Sequence, residues 1–377
     1  MKIWITTAAM ALIFWGAQAE PWPAEKANAW QQKTGWLVGC NFTPSTAINQ
    51  LEMWQADTFD PATIDRELGW AEGLGFTSVR VFLHNLAWQE DAAGFLNRME
   101  QFLKIADQHH IKPMFVFFDS CWDPNPKAGR QHEPKPFVHN SGWVQSPGRE
   151  YLEHPERLPE LKPYVQDVIR HFRADPRIAF WDLFNEPDNL NDSSYGKIEA
   201  RKKEETTLGL LRDTFAWARE ARPEQPISSG VWKGDWGDPA KLSDFEKVQL
   251  GESDIITFHS YAKLDETRRC VEHLRRYGRP IVCTEYMARP AGSTFDPNLG
   301  YFKSQGVGAY NWGFVSGKTQ TIYPWDSWTK KYTGEPPLWF HDILRADGTP
   351  YRADEVKYIR SLTGAQPAAA TANRSSP

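Results

Sequence analysis

The chain has 377 residues, of which 24% are charged and 41% hydrophobic, and its formal net charge is −5. This length and composition suit one large soluble domain with a substantial core. No basic block occurs, which argues against nucleic acid as a partner. The sequence contains 18 tryptophans. We expect some of them to line a binding cleft and the rest to pack between helices and strands.

The first 19 residues have the pattern of an export signal. Lys2 precedes an apolar run from Ile3 to Gly16, and Ala17-Gln18-Ala19 matches a small-residue cleavage site. The apolar run is too short to span a bilayer comfortably. We therefore predict cleavage just before Glu20, a secreted or periplasmic protein, and no membrane association after cleavage.

Short β-branched or aromatic runs predict eight strands, several of them apolar on both faces. They are Trp36–Phe42, Ser78–Leu83, Lys112–Asp119, Ile178–Asn185, Pro226–Val231, Ile255–Ser260, Pro280–Glu285 and Gly308–Phe314. Between them, apolar residues at helical spacing predict helices. They are Pro61–Leu74, Phe95–His110, Leu161–Arg173, Lys202–Ala221, Leu264–Tyr277 and Ala353–Leu362. Strand–helix alternation with eight strands predicts an α/β fold, a single-domain (β/α)8 TIM barrel.

Two long loops follow the third and eighth predicted strands, Ser120–Leu161 and Ser316–Leu344. In a barrel of this kind such loops lie on the carboxyl-end face, where binding sites form. Loop position marks six tryptophans as cleft candidates: Trp122, Trp143, Trp232, Trp236, Trp325 and Trp328.

Two glutamates stand where two of the predicted strands end. Glu186, between Asn185 and Pro187, follows the fourth strand, and Glu285 ends the seventh. Because these strands are not neighbours, the two carboxyls should face each other across the mouth of the barrel. Hydrolysis of a glycosidic bond needs such a pair, one carboxyl protonated and the other ionised.

These motifs resemble glycoside hydrolase family 5 and its wider clan A. Asn185-Glu186-Pro187 is similar to the clan's acid/base motif, and Thr284-Glu285-Tyr286 is similar to its nucleophile motif. Further matches are the strand-two arginine, the strand-six pair and the strand-eight tryptophan: Arg80, His259, Tyr261 and Trp312. The resemblance extends from about Trp36 to Leu362.

The chain departs from family 5 in one place. Asp119-Ser120-Cys121-Trp122 follows the third strand, where family 5 enzymes often have a histidine, while His84-Asn85 follows the second. The clan is therefore better supported than the family. With this departure included, the resemblance implies these substrate-binding residues: Arg80, His84, Asn85, Asn185, His259, Tyr261 and Trp312.

Arg80 lies in an apolar strand, where an unpaired cation would be costly. Glu285 is its expected partner, although a purely structural ion pair remains an alternative. We expect this cation to lower the pKa of Glu285, and the ionised neighbour to raise the pKa of Glu186. Asn185 is expected to hold the sugar 2-hydroxyl.

The sequence thus predicts a secreted retaining glycoside hydrolase with Glu186 and Glu285 as the catalytic residues. It should cleave β-linked polysaccharides or oligosaccharides of xylan, mannan or glucan type, as a monomer without metal or cofactor. The rival hypothesis is a non-catalytic carbohydrate-binding barrel. A metal site at Asp119, Asp123, His132 and His139 is a minor alternative because their spacing matches no known ligand pattern.

The domain organisation follows from these assignments. Residues 1–19 form the export signal, residues 20–363 form one catalytic domain, and the small polar tail 364–377 is predicted to be disordered. Four cysteines remain, and their spacing allows three full pairings without choosing among them: Cys40, Cys121, Cys270 and Cys283.

Overall fold

The computed structural model describes residues 20–366. The predicted export signal and all but the first three residues of the predicted tail lie outside this range. Among the described residues, no helix has both the length and the apolar character needed to cross a bilayer.

The eight predicted strands are present, and together they form one parallel barrel. Their bounds are Val38–Asn41 (β1), Ser78–Phe82 (β2), Lys112–Asp119 (β3), Trp181–Asn185 (β4), Ile227–Ser228 (β5), Ile256–His259 (β6), Ile281–Tyr286 (β7) and Gly308–Asn311 (β8). Hydrogen-bonded ladders run in the order β5-β4-β3-β2-β1-β8-β7-β6. A bridge between Val231 and Phe258 joins the two ends of this order. The predicted (β/α)8 barrel is confirmed.

Helices on the outside cover the strands. The α-helices are Ala24–Thr34 (α1), Gln50–Trp54 (α2), Pro61–Gly73 (α3), Asn85–Glu90 (α4), Ala92–Gln108 (α5), Arg149–Leu152 (α6), Lys162–Phe172 (α7), Lys203–Ala221 (α8), Asp244–Glu252 (α9), Leu264–Leu274 (α10), Phe295–Ser304 (α11) and Ala353–Thr363 (α12). Short 3-10 turns are Pro155–Leu161, Gly196–Ile198, Pro239–Lys241, Arg275–Tyr277, Arg289–Ala291 and Trp325–Trp328. All six predicted helices are present, and the shorter ones lack a long enough apolar repeat to be found by periodicity.

Local capping explains where the predicted helices begin. Asp60 precedes Pro61 at the start of α3, and its side chain accepts a hydrogen bond from the Thr63 amide at 3.0 Å. Asp91 caps α5 in the same way through the Gly94 amide at 2.9 Å. Each cap satisfies an otherwise unpaired amide and stabilises its helix by about 1 kcal/mol.

Helix α1 and the segment before it close the amino-terminal end of the barrel. Trp30 packs edge-on against Phe180 at 6.2 Å between ring centroids. The Trp22 amide donates to Asp254 at 2.7 Å, which ties the segment to the strand ends at this face. A separate apolar cluster that includes Trp22 and Phe180 fills this end. The open end of the barrel is therefore the carboxyl end of the strands.

The four cysteines are free thiols, so none of the three possible pairings is formed. Cys40 and Cys283 are fully buried on β1 and β7. Cys121 lies at the carboxyl end of the barrel, just after β3.

Candidate active site

Glu186 and Glu285 face each other at the carboxyl end of the barrel, as their strand positions predicted. One oxygen of each and one ring nitrogen of His259 lie within 4.8 Å of one another. The backbone of Glu186 has a φ of 43°, which is unusual for a residue other than glycine. Such strain persists only where the surroundings determine it, and it is common at functional sites. Here it turns the carboxyl away from the strand direction and into the cleft.

Arg80 is fully buried under the two acids, with all its guanidinium nitrogens in use. Nη1 donates to Glu285 at 2.6 Å, and Nε and Nη2 donate to Asp182 at 3.0 and 2.8 Å. The remaining bonds reach the side-chain oxygens of Asn41 and Asn185 at 3.0 and 2.8 Å. Arg80 is therefore a positioning residue below the cleft, and the expected pair with Glu285 is present.

Glu285 is held on both carboxylate oxygens. Oε1 accepts from Arg80, and Oε2 accepts from the Tyr261 hydroxyl at 2.7 Å. Burial raises the pKa of Glu285, while His259, Arg80 and the Tyr261 hydrogen bond oppose that rise. Arg80 lowers the pKa as expected, but desolvation of the buried carboxylate outweighs the attraction of the cation, so the net shift is upward.

Glu186 has uncharged hydrogen-bond partners. Its Oε2 accepts from Asn189 Nδ2 at 2.7 Å and from the Cys121 thiol at 3.2 Å. Its Oε1 lies 2.8 Å from His259 Nδ1. Burial raises the pKa of Glu186. Burial also lowers the pKa of His259 to about 4, so this imidazole is neutral near pH 7 and either accepts a proton from Glu186 or donates to its ionised form.

Asn185 connects the two acids to the third strand. Its Oδ1 accepts from Arg80, and its Nδ2 donates to Asp119 at 2.9 Å. Asp119 also accepts from Trp143 Nε1 at 2.7 Å, and burial raises its pKa to about 6. The other hydrogen of Asn185 Nδ2 has only the Cys121 sulfur at 3.4 Å, a weak acceptor that a ligand hydroxyl can replace.

The cleft has two lobes that meet at Glu186, Trp232 and Tyr261. The Trp312 lobe has a volume of about 360 Å³, and its walls include Glu285 and Trp312. The walls of this lobe also include Trp122, His139, Asn140, Asn185 and Trp325. The Trp236 lobe has a volume of about 380 Å³. It is lined by Trp236, His259, Lys233, Asp235, Glu266 and Arg269.

The tryptophans divide into cleft walls and their supports. Trp122, Trp232 and Trp325 line the Trp312 lobe, as predicted. Trp143 is buried behind Trp312, with the two rings edge to face at 5.9 Å. Trp328 stacks on Trp122 at 5.5 Å and supports it from outside the lobe.

His84 and Asn85 do not reach the cleft, which corrects their prediction as substrate-binding residues. His84 caps α4 by accepting from the Leu86 amide, and its Nε2 contacts the Gln145 carbonyl at 3.0 Å. Asn85 Oδ1 accepts from the Ser146 hydroxyl at 2.9 Å. Both side chains are buried and instead hold the loop that follows β3.

The residues proposed as a minor metal site do not form one cluster. Within residues 20–366, the three side chains close enough to share an ion are Glu186, His259 and Glu285. Arg80 already places a positive charge 2.6 Å from Glu285, which disfavours a second cation there.

Sequence reasoning missed several residues of this site, namely Asn41, Asp182 and Asn189. Asp182 was detectable in principle, because an aspartate inside an apolar strand needs a buried cation just as Arg80 needs an anion. Asn41 and Asn189 carry no comparable signal. Asp119 and Cys121 were noted only for other reasons.

No family model matches this chain, and no curated protein matches its sequence. Solved structures do match its fold. A β-1,4-mannanase from the sea hare Aplysia kurodai has a TM-score of 0.52 at 17% identity, covering 74% of this chain and 87% of its own. An exo-β-1,4-mannosidase from Opitutaceae bacterium strain TAV5 has a TM-score of 0.59 at 20% identity, covering 88% and 60%. GH5_18 from Streptomyces cattleya, in complex with GlcNAc, has a TM-score of 0.56 at 14% identity, covering 88% and 82%.

The chain therefore has the fold of these proteins. It is a (β/α)8 barrel that carries two buried glutamates at the carboxyl ends of β4 and β7, with an arginine of β2 beneath them.

Proposed function

We propose that the protein is a retaining β-glycosidase that acts on β-mannosides. The observation that carries this proposal is the short approach of Glu186 and Glu285, with one oxygen of each within 4.8 Å. Carboxyls of retaining enzymes lie about 5–5.5 Å apart, whereas inverting enzymes leave about 6.5–9.5 Å for a water molecule. The mannan-type preference draws on the names of the structures with the same fold, two of which act on β-1,4-mannosidic bonds.

The geometry supports a two-step reaction. Glu285 attacks the anomeric carbon while Glu186 donates its proton to the leaving oxygen, so the glycosidic bond breaks and a glycosyl–Glu285 ester forms. Glu186, now ionised, takes a proton from water as the water oxygen attacks the same carbon and releases Glu285. Loss of the charge on Glu285 in the first step makes Glu186 easier to ionise for the second.

The surrounding residues support each role. Arg80 and Tyr261 stabilise the ionised form of Glu285, the form that attacks. The Asn185 Nδ2 hydrogen that contacts the weakly accepting Cys121 sulfur can instead bind the sugar 2-hydroxyl, and a contact there strengthens in the transition state. Trp312 offers an aromatic face in the lobe that contains Glu285.

The rival function, a non-catalytic sugar-binding barrel, would use the aromatic cleft alone. It would not require two acids at reacting distance over a buried arginine. A panel of aryl β-mannosides, β-glucosides and β-xylosides separates the two functions. We expect hydrolysis, fastest for the mannoside, with the β-anomer as the first product detected by NMR.

Covalent labelling tests the nucleophile directly. A 2-deoxy-2-fluoro-mannosyl fluoride should inactivate the enzyme and leave its sugar on the peptide that contains Glu285. Glu272→Gln, an exposed substitution on α10, is the matched control and should label normally. Absence of hydrolysis across the panel and of β-1,4-manno-oligosaccharides would refute the enzyme, and an α-anomer as first product would refute retention.

We also propose that the protein is exported and works as a monomer without a metal or cofactor. The motif at residues 1–19 supports export, and the two carboxyls suffice for the chemistry. Mass spectrometry of the native protein should find an amino terminus at Glu20. Gel filtration should give a monomer, and activity should survive chelation and dialysis. Activity restored by one specific divalent ion would contradict the last point.

A further inference from the structure

The two lobes of the cleft have different chemical roles if the proposed function holds. Glu285 forms its bond to the sugar that is transferred, and it lines only the Trp312 lobe. Glu186 protonates the oxygen that leaves, and it lies where the two lobes meet. The transferred sugar therefore occupies the Trp312 lobe, and the leaving group extends into the Trp236 lobe.

Trp328 joins three loops behind Trp122, a residue that lines the Trp312 lobe. Its ring stacks on Trp122, from the loop after β3, at 5.5 Å with an interplanar angle of 17°. Its Nε1 donates to the His139 carbonyl of the same loop at 2.8 Å. Tyr195, from the loop after β4, packs edge-on against it at 5.0 Å. Such aromatic contacts stabilise the arrangement beyond the burial of area alone.

Backbone hydrogen bonds join the same loops along their length. The Asn140 amide donates to the Thr319 carbonyl at 2.9 Å. The Phe137 amide donates to Gln320 Oε1 at 2.8 Å, and the His139 amide donates to Ser327 Oγ at 3.0 Å. We call residues 122, 137–140 and 319–328 the end wall.

The segments next to the end wall are bonded to the part of the chain that follows β1 as well. Asn49 donates to the Gly142 carbonyl at 2.8 Å, and Gln50 donates to the Val144 carbonyl at 3.0 Å. Lys318 forms an ion pair with Glu52 at 2.6 Å. Loops from β1, β3, β4 and β8 are thus bonded into one structure, so opening the wall would require breaking many contacts at once.

From this geometry we infer that the enzyme is exo-acting, removing one sugar at a time from the non-reducing end. This inference rests on the proposed function and adds to it the position of the bond that is cleaved. Trp122, His139, Asn140 and Trp325 of the end wall line the lobe that contains Glu285. In this inference they stand where a chain continuing beyond the sugar at Glu285 would have to pass. The Trp236 lobe, on the other side of Glu186, is where the remaining chain lies.

Asn140 supplies a polar group at the wall for the terminal sugar. Both its Oδ1 and Nδ2 are buried without a hydrogen-bond partner among the described residues, although the side chain borders the Trp312 lobe. An unpaired buried amide is unfavourable. A hydroxyl of the terminal sugar, bound directly or through one water in the small adjoining void of about 20 Å³, would satisfy it.

The test uses reducing-end-labelled β-1,4-manno-oligosaccharides, in free form and with a 4,6-O-benzylidene group on the non-reducing terminal sugar. We expect mannose as the first product and stepwise shortening of the labelled chain. The blocked substrate should react at least 100-fold more slowly. Early internal fragments, or equal rates for both substrates, would overturn the inference.

An aryl β-mannoside assayed in parallel separates the two levels of the proposal. If the aryl glycoside and the oligosaccharides are all inert, the proposed function fails. If the aryl glycoside reacts while the oligosaccharides are cleaved internally, only exo action fails.

Variants test the wall itself. Trp328→Ala should reduce the rate ratio of free to blocked substrate at least tenfold, and Trp70→Ala, a half-buried tryptophan on α3, is the matched control. Asn140→Gly keeps the positive φ of 47° and should lower kcat/KM for the free substrate about tenfold. An unchanged rate ratio in folded Trp328→Ala would contradict the role of Trp328 in the end wall. An unchanged kcat/KM in Asn140→Gly would contradict the role of Asn140 in binding the terminal sugar.

Discussion

Glu285 and Glu186 are the same residue type in nearly the same place, yet their surroundings differ in charge. Their side chains are similarly buried, with 5% and 8% of each residue exposed. Glu285 contacts the Arg80 guanidinium and the Tyr261 hydroxyl. Glu186 contacts an amide, a thiol and a neutral imidazole. Burial raises the pKa of both carboxyls. At Glu285 a charged contact, Arg80, opposes that rise, whereas the direct contacts of Glu186 are uncharged.

In the proposed mechanism, the partners, and not the strand ends alone, distinguish the two carboxyls. Since the two carboxyls are coupled, the limbs of a pH–rate profile belong to the pair. The acid limb reports the need for one ionised carboxyl, and the basic limb reports the need for one protonated carboxyl.

The largest expected effect comes from Glu285→Gln. Removing the nucleophile should lower kcat by about 10⁴-fold or more on every aryl glycoside, whatever its leaving group. Steady-state kinetics with Glu272→Gln as control measures it. Activity within tenfold of the parent enzyme would remove Glu285 from the reaction.

The loss of rate in Glu186→Ala should depend on the leaving group of the substrate, whereas the loss in Glu285→Gln should be the same for all of them. Loss of the general acid should lower rates by about 10²–10⁴-fold for poor leaving groups and much less for dinitrophenyl glycosides, which need little protonation. Azide should then accelerate turnover and yield a β-glycosyl azide, because two inversions retain configuration. An equal loss for all leaving groups, without azide rescue, would argue against acid/base catalysis by Glu186.

Tyr261→Phe tests the partner of the ionised carboxyl. The hydroxyl bond lowers the pKa of Glu285, so its loss should raise that pKa and move the acid limb of kcat/KM to higher pH. A hydrogen bond to a charged group corresponds to a shift of about one pH unit. The basic limb serves as the internal control. An acid limb at the same pH as in the parent enzyme would show that this contact does not change the pKa of Glu285.

Cys121→Ala tests the other side of the comparison and should have the smallest effect. The thiol bond favours the ionised form of Glu186, so its removal should raise that pKa and move the basic limb to higher pH. A thiol is a weak donor, and we expect a shift of about 0.3–0.5 unit. Cys121→Ser restores a hydrogen-bond donor and should return the basic limb to its position in the parent enzyme. Movement of the acid limb instead would reverse the assignment of the two acids.

The strands and the acid pair were predictable because each corresponds to a pattern of neighbouring residues in the sequence. An apolar run such as Pro113–Phe118 is typical of a strand buried on both faces, and Asn185-Glu186-Pro187 marks where another strand ends. The partner of Arg80 was predicted only in part. Glu285 was found, whereas Asp182, which receives two of the arginine's hydrogen bonds, was not.

His84 and Asn85 illustrate why position at a strand end is insufficient. They come two and three residues after β2, close to a strand end like Glu186 after β4, yet they bind the loop at Gln145 and Ser146 instead of facing the cleft. The direction of a side chain after a strand depends on the backbone turn there. Glu186 is turned inward by its φ of 43°, which no residue pattern announced.

The sequence by itself determined the barrel, the order of its strands and the two acids at its carboxyl end, because strand period and strand ends are local properties. Only the tertiary structure decided which groups surround each acid and how the cleft ends. The end wall brings together Trp122, His139 and Trp328. Of these, His139 and Trp328 are 189 residues apart on the chain. Contacts at such a distance depend on the barrel having closed, and no local pattern of residues encodes them.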